Sequence, residues 1–279
     1  GALRRLPAGS SGGVVDEFAV VTTEPDRSKA VGIGNCLKGY LAPLKNGFGI
    51  EPSNYMVTVY TAGSSSEVYD YARKLHGLEL PRGVIAYSVP EDMSLAAVAT
   101  PTGCGSMAHE LVHLLIKRSF PVSPAWLEEG LASEVAIASP TPKGFRFASS
   151  WRDETLRENL GLRPIVAERL ETPWSDFSST SVFKLHQVAA TQARAAVFIR
   201  YLDAKGKLAE IYFAVRDHHM GSDLVEYKSY QEIVEEKLGM NVSEIDRDFA
   251  RWFQQEMPAR SAPDLKTAAP CEDVKAPAQ

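Results

Sequence analysis

Hydrophobic residues in the first hundred positions follow two spacings, and each spacing predicts a different element. Short runs of β-branched and aromatic residues are typical of strands, whereas apolar positions three and four apart indicate one face of a helix. A serine run begins one predicted helix and Gly77 ends it. In chain order the pattern predicts strand 17–23, helix 30–44, strand 55–61, helix 65–76, and strands 83–89 and 94–100.

From residue 106 onward the apolar positions recur mainly at helical spacing, interrupted by a Pro/Gly loop at 140–147. Residues 1–16 and 258–279 carry little pattern and are predicted to be a flexible arm and a flexible Pro/Ala-rich tail. The order of elements predicts an α+β fold, with an α/β lobe at 17–105 and a mostly helical lobe at 106–257 forming one unit. Beyond the loop, helices are predicted at 151–160, 178–203, 207–215, 227–238 and 242–255.

The most informative stretch is the pentamer HELVH, residues 109–113. His109 and His113 are four residues apart, so they lie on one helical face and can reach a single Zn²⁺ at about 2.0–2.1 Å. Glu110 stays off the metal, close enough to take a proton from water there. Ser106, in the turn before the pentamer, can serve as the N-cap of this helix.

A second motif, WLEEGLA at residues 126–132, carries two adjacent carboxylates, Glu128 and Glu129. Catalytic zinc takes three protein ligands and keeps one position open. One of the two glutamates is therefore the candidate third ligand, and the residues alone leave the choice open.

Together HELVH and WLEEGLA resemble the gluzincin metallopeptidases, the HExxH group that includes thermolysin and the aminopeptidases. Matching the glutamate before glycine onto that family's pattern implies that Glu129 is the third zinc ligand and that Glu128 faces elsewhere. The resemblance implies a zincin-like fold, in which the zinc lies between a small β-sheet lobe and a helical lobe. It also implies a peptide or protein substrate, hydrolysed by metal-activated water with Glu110 as the general base.

The flanking sequence is similar, more loosely, to a bacterial branch of peptidase-like proteins over roughly residues 80–255. In gluzincins an edge strand upstream of HExxH holds the substrate by strand addition, and 94–100 is the candidate here. The alternative is that 94–100 is a buried strand without substrate contact. The segments that carry the looser likeness are Phe120-Pro121, Pro124-Ala125-Trp126, Trp151-Arg152 and Thr191-Gln192-Ala193-Arg194.

Two features of the family are missing from the sequence. Gluzincins usually place a tyrosine or histidine to donate to the oxyanion, yet no tyrosine lies between Tyr87 and Tyr201, so His186 is the candidate substitute. The Gly-x-Met-Glu-Asn segment with which aminopeptidases capture a free amine is also missing, which favours an endopeptidase. The alternative function is a catalytically degenerate relative that keeps zinc and binds a peptide or protein.

Composition and charge narrow the range of partners and locations. The formal net charge is -5 and the chain has no dense Lys/Arg run, so no nucleic-acid partner is expected. No apolar run approaches the roughly 20 residues of a membrane helix, so no membrane span is expected. The start at Gly1 and family habit favour a periplasmic or secreted protein, with a cytoplasmic one as the alternative.

The chain has three cysteines, Cys36, Cys104 and Cys271, too few for a disulfide scaffold. Cys36 is predicted to be a small, free core residue of a helix, since free cysteine is often buried. Cys104 precedes His109 closely and can be either half of a disulfide or a fourth ligand that closes the metal site. A closed site is disfavoured because three ligands are already present.

Overall fold

The structure is a computed structural model and describes residues 10–23, 27–51, 55–99, 103–159, 189–221 and 229–256. The first half comprises β1 (Ser11–Val15), β2 (Phe18–Thr22), α1 (Arg27–Phe48), β3 (Val57–Ala62), α2 (Ser65–Tyr71), a π-helical turn (Ala72–His76), β4 (Ala86–Val89), a 3-10 turn (Pro90–Asp92) and β5 (Ser94–Val98). The second half comprises α3 (Gly105–Ser119), α4 (Ala125–Val135), β6 (Ser139–Thr141), β7 (Gly144–Arg146), α5 (Trp151–Asn159), α6 (Ala189–Ala204), α7 (Leu208–Gly221), α8 (Tyr230–Leu238) and α9 (Val242–Glu256).

The first five strands form one sheet in the order β1-β2-β3-β5-β4. Its three inner strands are parallel, and β1 and β4 pair antiparallel at the two edges. Of the two interpretations of 94–100, the edge strand is wrong and the buried strand is confirmed, since β5 lies between β3 and β4 and β4 forms the edge. Strand order follows from tertiary pairing, which the local apolar pattern does not encode.

Alternation of side chains across the strands gives the sheet two apolar faces. Val59 and Leu95 belong to the core shared with α1 and α3, whereas Tyr60 and Ala96 belong to the core shared with α2. The sheet is thus covered on both faces, and α3, which carries HELVH, packs directly on it.

Helix α4 packs between α3 and α6, and Gly130 lies where α4 crosses α6. A Cβ atom at this position would lie 2.8 Å from the carbonyl oxygen of Ala195 and 2.7 Å from Cγ1 of Ile199. Glycine alone avoids these overlaps. The glycine of WLEEGLA therefore sets how closely α4 approaches α6, and with it the position of the two preceding glutamates.

A disulfide bond joins Cys36 in α1 to Cys104 at the start of α3. The prediction that Cys36 is a free core residue is wrong, and the bond leaves Cys104 without a thiolate for the metal. The pairing depends on α1 and α3 sharing one face of the sheet, which the spacing of cysteines along the chain does not reveal. Cys271 lies outside the described residues.

The predicted α+β class is confirmed, and most predicted elements occur close to their predicted positions. Residues 11–15, predicted as part of a flexible arm, instead form β1, which pairs with β2. The predicted loop 140–147 contains the hairpin of β6 and β7. Both stretches contain glycine or proline, which are typical of loops, so the sequence pattern did not predict the strands that form there by pairing. Within the described ranges, no helix combines the length and apolarity needed to cross a bilayer.

Several predicted segments cannot be compared with the structure. Residues 1–9, the part of helix 178–203 before 189, and the tail 258–279 lie outside the described residues. The division into lobes at residues 105 and 106 stays a prediction. One hydrophobic core nevertheless contains side chains from the sheet, from α3 and from the later helices.

Candidate metal centre

The pentamer HELVH lies within α3, whose apolar side packs on the sheet. Leu111, Leu114 and Leu115 are fully buried there, and this apolar stripe fixes the rotation of the helix about its axis. His109 and His113 consequently lie one turn apart on the side that meets α4, where both remain partly exposed.

The start of α3 differs from the prediction. The helix begins at Gly105, and Cys104 occupies the N-cap position without a side-chain hydrogen bond. The hydroxyl of Ser106 donates to the carbonyl of Val98 at 3.5 Å. Ser106 is therefore not the N-cap, because the helix begins one residue before it and Ser106 already lies in the first turn.

The side chain of Glu129 on α4 faces the two histidines of α3. Its Oε2 lies 3.6 Å from Nε2 of His109 and 3.7 Å from Nε2 of His113. The two Nε2 atoms are 3.1 Å apart. The structure therefore brings together the three residues that the sequence and the family resemblance predicted as ligands.

The spacing of these three atoms fits a small metal ion. A tetrahedral zinc with ligands at about 2.0–2.1 Å holds its ligand atoms about 3.3–3.4 Å apart. The point equidistant from the three atoms lies about 2.0 Å from each of them, which matches that bond length. Two imidazoles and one carboxylate are a donor set that zinc accepts, and three protein ligands leave a position open.

Glu128, which the resemblance placed facing elsewhere, contacts the other side of His113. Nδ1 of His113 lies 2.8 Å from Oε1 of Glu128. A carboxylate at this nitrogen keeps its proton on Nδ1 and leaves the lone pair of Nε2 for a metal. The sequence analysis missed this contact, through which Glu128 orients His113 while lying outside the group of candidate ligands.

Glu128 is itself held by two neighbours. The Lys117 ammonium forms an ion pair with it, and the Ser123 hydroxyl donates to it. Burial favours a neutral carboxyl, but the hydrogen bonds from His113 and Lys117 outweigh burial and lower the pKa of Glu128 to about 2. The carboxylate therefore stays ionised at neutral pH and can hold the imidazole in one orientation.

Without a metal, His113 binds a proton strongly. Burial disfavours the charged imidazole, but the hydrogen bond to Glu128 and the charge of Glu129 outweigh it and raise the pKa of His113 to about 9. The site is therefore built to stabilise positive charge. A metal ion and a proton compete for the same imidazole.

Glu110 lies next to the ligand cluster and is 8% exposed. Its Oε2 accepts a hydrogen bond from the hydroxyl of Ser88 at 2.8 Å. Ser88 belongs to β4, the edge strand, so the sheet and α3 meet at this carboxylate. A buried carboxylate with a fixed orientation, beside the metal position and off it, is suited to accepting a proton.

A second group of charges lies deeper, between α4, α5 and α6. Arg200 donates to Asp153 at 3.2 Å and to Glu134 at 3.3 Å. Its Nε also approaches the second oxygen of Glu134 to 3.1 Å, without hydrogen-bond alignment. All three side chains are almost completely buried. This cluster fixes the start of α5 against the helix that carries Glu129.

His186, the predicted oxyanion donor, lies outside the described residues, so its role stays a prediction. The nearest tyrosines in sequence are engaged elsewhere. The Tyr87 hydroxyl is 2.7 Å from Nδ1 of His76, on the sheet face opposite α3. The Tyr201 hydroxyl donates to Asp248 at 2.7 Å. Neither hydroxyl fills the place of the missing donor.

Comparison of the chain with protein-family models gave no match, and comparison with curated proteins gave no significant match. The likeness to gluzincins therefore rests on HELVH and WLEEGLA. The packing of α3 against α4 adds a separate physical argument, because it brings one ligand atom from each of His109, His113 and Glu129 within 4.8 Å of the others.

Proposed function

We propose that the protein is a zinc-dependent peptidase of the gluzincin type, with a zincin-like fold and endopeptidase rather than aminopeptidase activity. The observation that carries the proposal is the convergence of His109, His113 and Glu129 on one point at zinc-ligand distances. Glu110 directly follows His109 and is held by Ser88, and Glu128 contacts the opposite ring nitrogen of His113.

Each residue has a defined task in this proposal. A bound Zn²⁺ polarises the scissile carbonyl and lowers the pKa of water to about 7. Glu110 accepts the proton of the attacking water and passes it to the leaving amine. Ser88 orients the Glu110 carboxylate through its hydrogen bond, and Glu128 keeps Nε2 of His113 free for the metal.

The substrate in this proposal is a peptide or protein segment in extended form. Strand β4 is an edge of the sheet and leaves backbone groups on its outer side for pairing. A peptide that adds to this edge lies close to Glu110, because Ser88 of the same strand contacts that carboxylate. Strand addition recognises backbone rather than a free amine, which suits an endopeptidase.

The test combines metal content with peptide hydrolysis. Elemental analysis should find about one zinc per chain in the wild type and in Glu110→Gln, but none in His113→Ala. Hydrolysis of a quenched peptide mixture should fall by about 10²–10⁴-fold in Glu110→Gln. Glu91→Gln, at an exposed position of the 3-10 turn, is the matched control and should retain activity. Unchanged hydrolysis in Glu110→Gln would rule out the proposed mechanism.

The second candidate function is a catalytically degenerate relative that keeps zinc and binds a peptide or protein. The observation that favours it is the missing tyrosine between Tyr87 and Tyr201. In that case the wild type binds zinc, retains a peptide ligand in a pull-down, and hydrolyses no member of a broad peptide library.

We also propose a periplasmic or secreted location rather than a cytoplasmic one. The Cys36–Cys104 disulfide supports it, since such bonds persist in oxidising compartments. Thiol labelling of protein taken directly from its native cells would leave both cysteines unlabelled if the location is oxidising.

A further inference from the structure

A cleft of about 240 Å³ is bounded by the end of α1, the β6–β7 hairpin and the turn between α6 and α7. None of the residues that line it belongs to HELVH or WLEEGLA. Its volume equals that of about eight water molecules at about 30 Å³ each. Pockets for drug-sized ligands hold about 300–1,000 Å³, so this cleft suits a smaller molecule, of the size of one amino acid.

Much of the cleft lining is aromatic. Phe48, at the end of α1, is almost completely buried, and its ring packs edge-on against Tyr212 with centres 5.3 Å apart. Phe145 and Phe147 of the hairpin stack with centres 6.2 Å apart and planes 18° from parallel. Together with Leu208 these phenylalanines form an apolar surface that suits an aromatic or branched apolar side chain.

The hairpin that forms one wall is fixed in place by polar contacts. Nδ2 of Asn46 on α1 donates to the carbonyl of Pro142 at 2.7 Å. Within the turn, the hydroxyl of Thr141 donates to the carbonyl of Gly144 at 3.0 Å. The cleft is therefore formed before any ligand enters, so a ligand need not order the hairpin in order to bind.

One end of the cleft carries negative charge. Asp203, in the last turn of α6, lines the cleft, and within the described part of the chain its carboxylate has no ion pair. Loss of hydration raises the pKa of this carboxyl, and no neighbouring cation opposes the shift. The carbonyl groups at the end of α6 add partial negative charge. This end is suited to an ammonium group.

Positive charge lies on other parts of the lining. Lys143, in the turn of the hairpin, also lines the cleft, and its charge does not contribute to the pKa shift of Asp203. Neither side chain therefore neutralises the other. Leu208 and Ala209 in the first turn of α7 lie on the lining as well, and the first N–H groups of a helix have no partner within it. These groups are suited to a carboxylate.

We propose that this cleft binds a zwitterionic amino acid with an apolar side chain. The ammonium meets Asp203, the carboxylate meets Lys143 and the start of α7, and the side chain contacts the phenylalanine rings. A polar side chain is disfavoured because it would lose hydration against aromatic carbon. The inference uses no residue of the metal centre, so it does not depend on the proposed peptidase function.

The test is calorimetric titration of the full chain with three related compounds: L-phenylalanine, phenethylamine, which lacks the carboxylate, and 3-phenylpropionate, which lacks the ammonium. Wild type is compared with Asp203→Asn, Lys143→Gln and Ala209→Phe, the last of which places a ring in the cleft. Asp70→Asn is the matched control, since Asp70 is a carboxylate of α2 that pairs with Lys74. Circular dichroism checks that each variant is folded.

Wild type should bind L-phenylalanine with a Kd of about 1 mM or below. Asp203→Asn should weaken L-phenylalanine and phenethylamine by about tenfold, the loss of one charge-assisted hydrogen bond, and leave 3-phenylpropionate unchanged. Lys143→Gln should weaken the two carboxylates by about two- to fivefold, because its charge is solvated. Ala209→Phe should abolish binding of all three compounds, and Asp70→Asn should bind as the wild type does.

Three results would overturn the inference: no saturable binding of L-phenylalanine to the wild type, equal affinity in Asp203→Asn and wild type, or full binding in folded Ala209→Phe. The substitution of Asp203 keeps the charge test separate from the test of the cleft itself. Failure of the peptidase function is a distinct result. A wild type that cleaves no peptide, yet binds L-phenylalanine through Asp203, refutes the activity and keeps the amino-acid site.

Discussion

Helix α4 carries acidic side chains into two settings that differ in the source of the neutralising positive charge. Glu134 meets the guanidinium of Arg200 in a closed cluster, where both side chains are almost completely buried. Glu129 instead meets two imidazole nitrogens, and all three of these side chains are partly exposed. The first setting contains its own cation, the Arg200 guanidinium, whereas we propose that a metal ion from solution completes the second.

Glu129 and Glu134 are both glutamates of α4, but the difference in their partners gives them different expected roles. A closed ion cluster links α4, α5 and α6 and is expected to matter for folding alone. An open set of converging donors contributes to stability only through what it binds. Substitutions in the two settings should therefore respond differently to zinc.

The largest expected effect on stability follows from removing Arg200, the cation of the closed cluster. Arg200→Met leaves Glu134 and Asp153 buried without their partner, which should lower the free energy of unfolding by about 3–5 kcal/mol. The loss should be the same with and without zinc in urea denaturation. Lys205→Met, which removes an exposed pair with Asp248, should cost at most about 1 kcal/mol. A loss seen only without zinc would contradict the independence of the two settings.

Next in size is the effect of Glu128 on the metal. Glu128→Gln removes the charge that orients His113, and zinc affinity should fall by about 10–100-fold in competition with a chelating dye. Glu210→Gln, on the exposed surface of α7, is the control and should bind zinc as the wild type does. Unchanged affinity in Glu128→Gln would show that packing alone orients the imidazole.

Gly130 lies between Glu129 and Glu134 on α4. Substituting it tests whether the close approach of α4 to α6 positions both glutamates. Gly130→Ala introduces a Cβ that overlaps Ala195 and Ile199, and should cost about 2 kcal/mol of unfolding free energy. Gly32→Ala, on the open side of α1, meets no atom within 4 Å and should stabilise by about 0.5–1 kcal/mol. Equal stability of the two variants would mean that α6 moves away freely.

The smallest expected effect, counted per pH unit, is the dependence of zinc affinity on the protonation of His113 in the open setting. The pKa of His113 is raised to about 9 without metal, so below that pH zinc must displace a proton. Apparent zinc affinity should fall by about tenfold for each pH unit below 9. A flat affinity between pH 7 and 9 would contradict this.

The raised pKa of His113 also affects the metal-free fold. Protonation of this imidazole stabilises the folded state fully below its unfolded pKa, near 6.5. That stabilisation should be lost as the pH rises through about 9. Zinc-loaded protein should lack this loss, because the metal occupies the nitrogen in place of the proton. Denaturation midpoints at several pH values, with and without zinc, check the difference.

The open setting was predicted well from the sequence because its chemistry is local. The spacing of His109 and His113 follows from helical geometry, and the family resemblance selected Glu129. Glu128 was missed, although consecutive helical positions point about 100° apart, so a neighbour of a ligand can face the far side of His113. A glutamate beside the third ligand was the feature from which its role could have been inferred.

The closed setting was not predictable in the same way. Arg200, Glu134 and Asp153 lie on three helices, and nothing in their sequence spacing indicates contact. The order of the sheet and the pairing of Cys36 with Cys104 share this property, since each depends on how elements pack. Apolar periodicity predicted where helices and strands occur, but left open which of them meet.

The disulfide has a consequence for survival in a proteolytic environment. With a sequence separation of 68 residues, it closes a covalent ring that contains β3, α2, β4 and β5. A cut within that ring, for instance at the exposed turn before β4, leaves the two fragments joined to each other through the bond between α1 and α3. Such a nicked chain runs as one band on a non-reducing gel and as two after reduction, so self-cleavage there would leave the protein assembled.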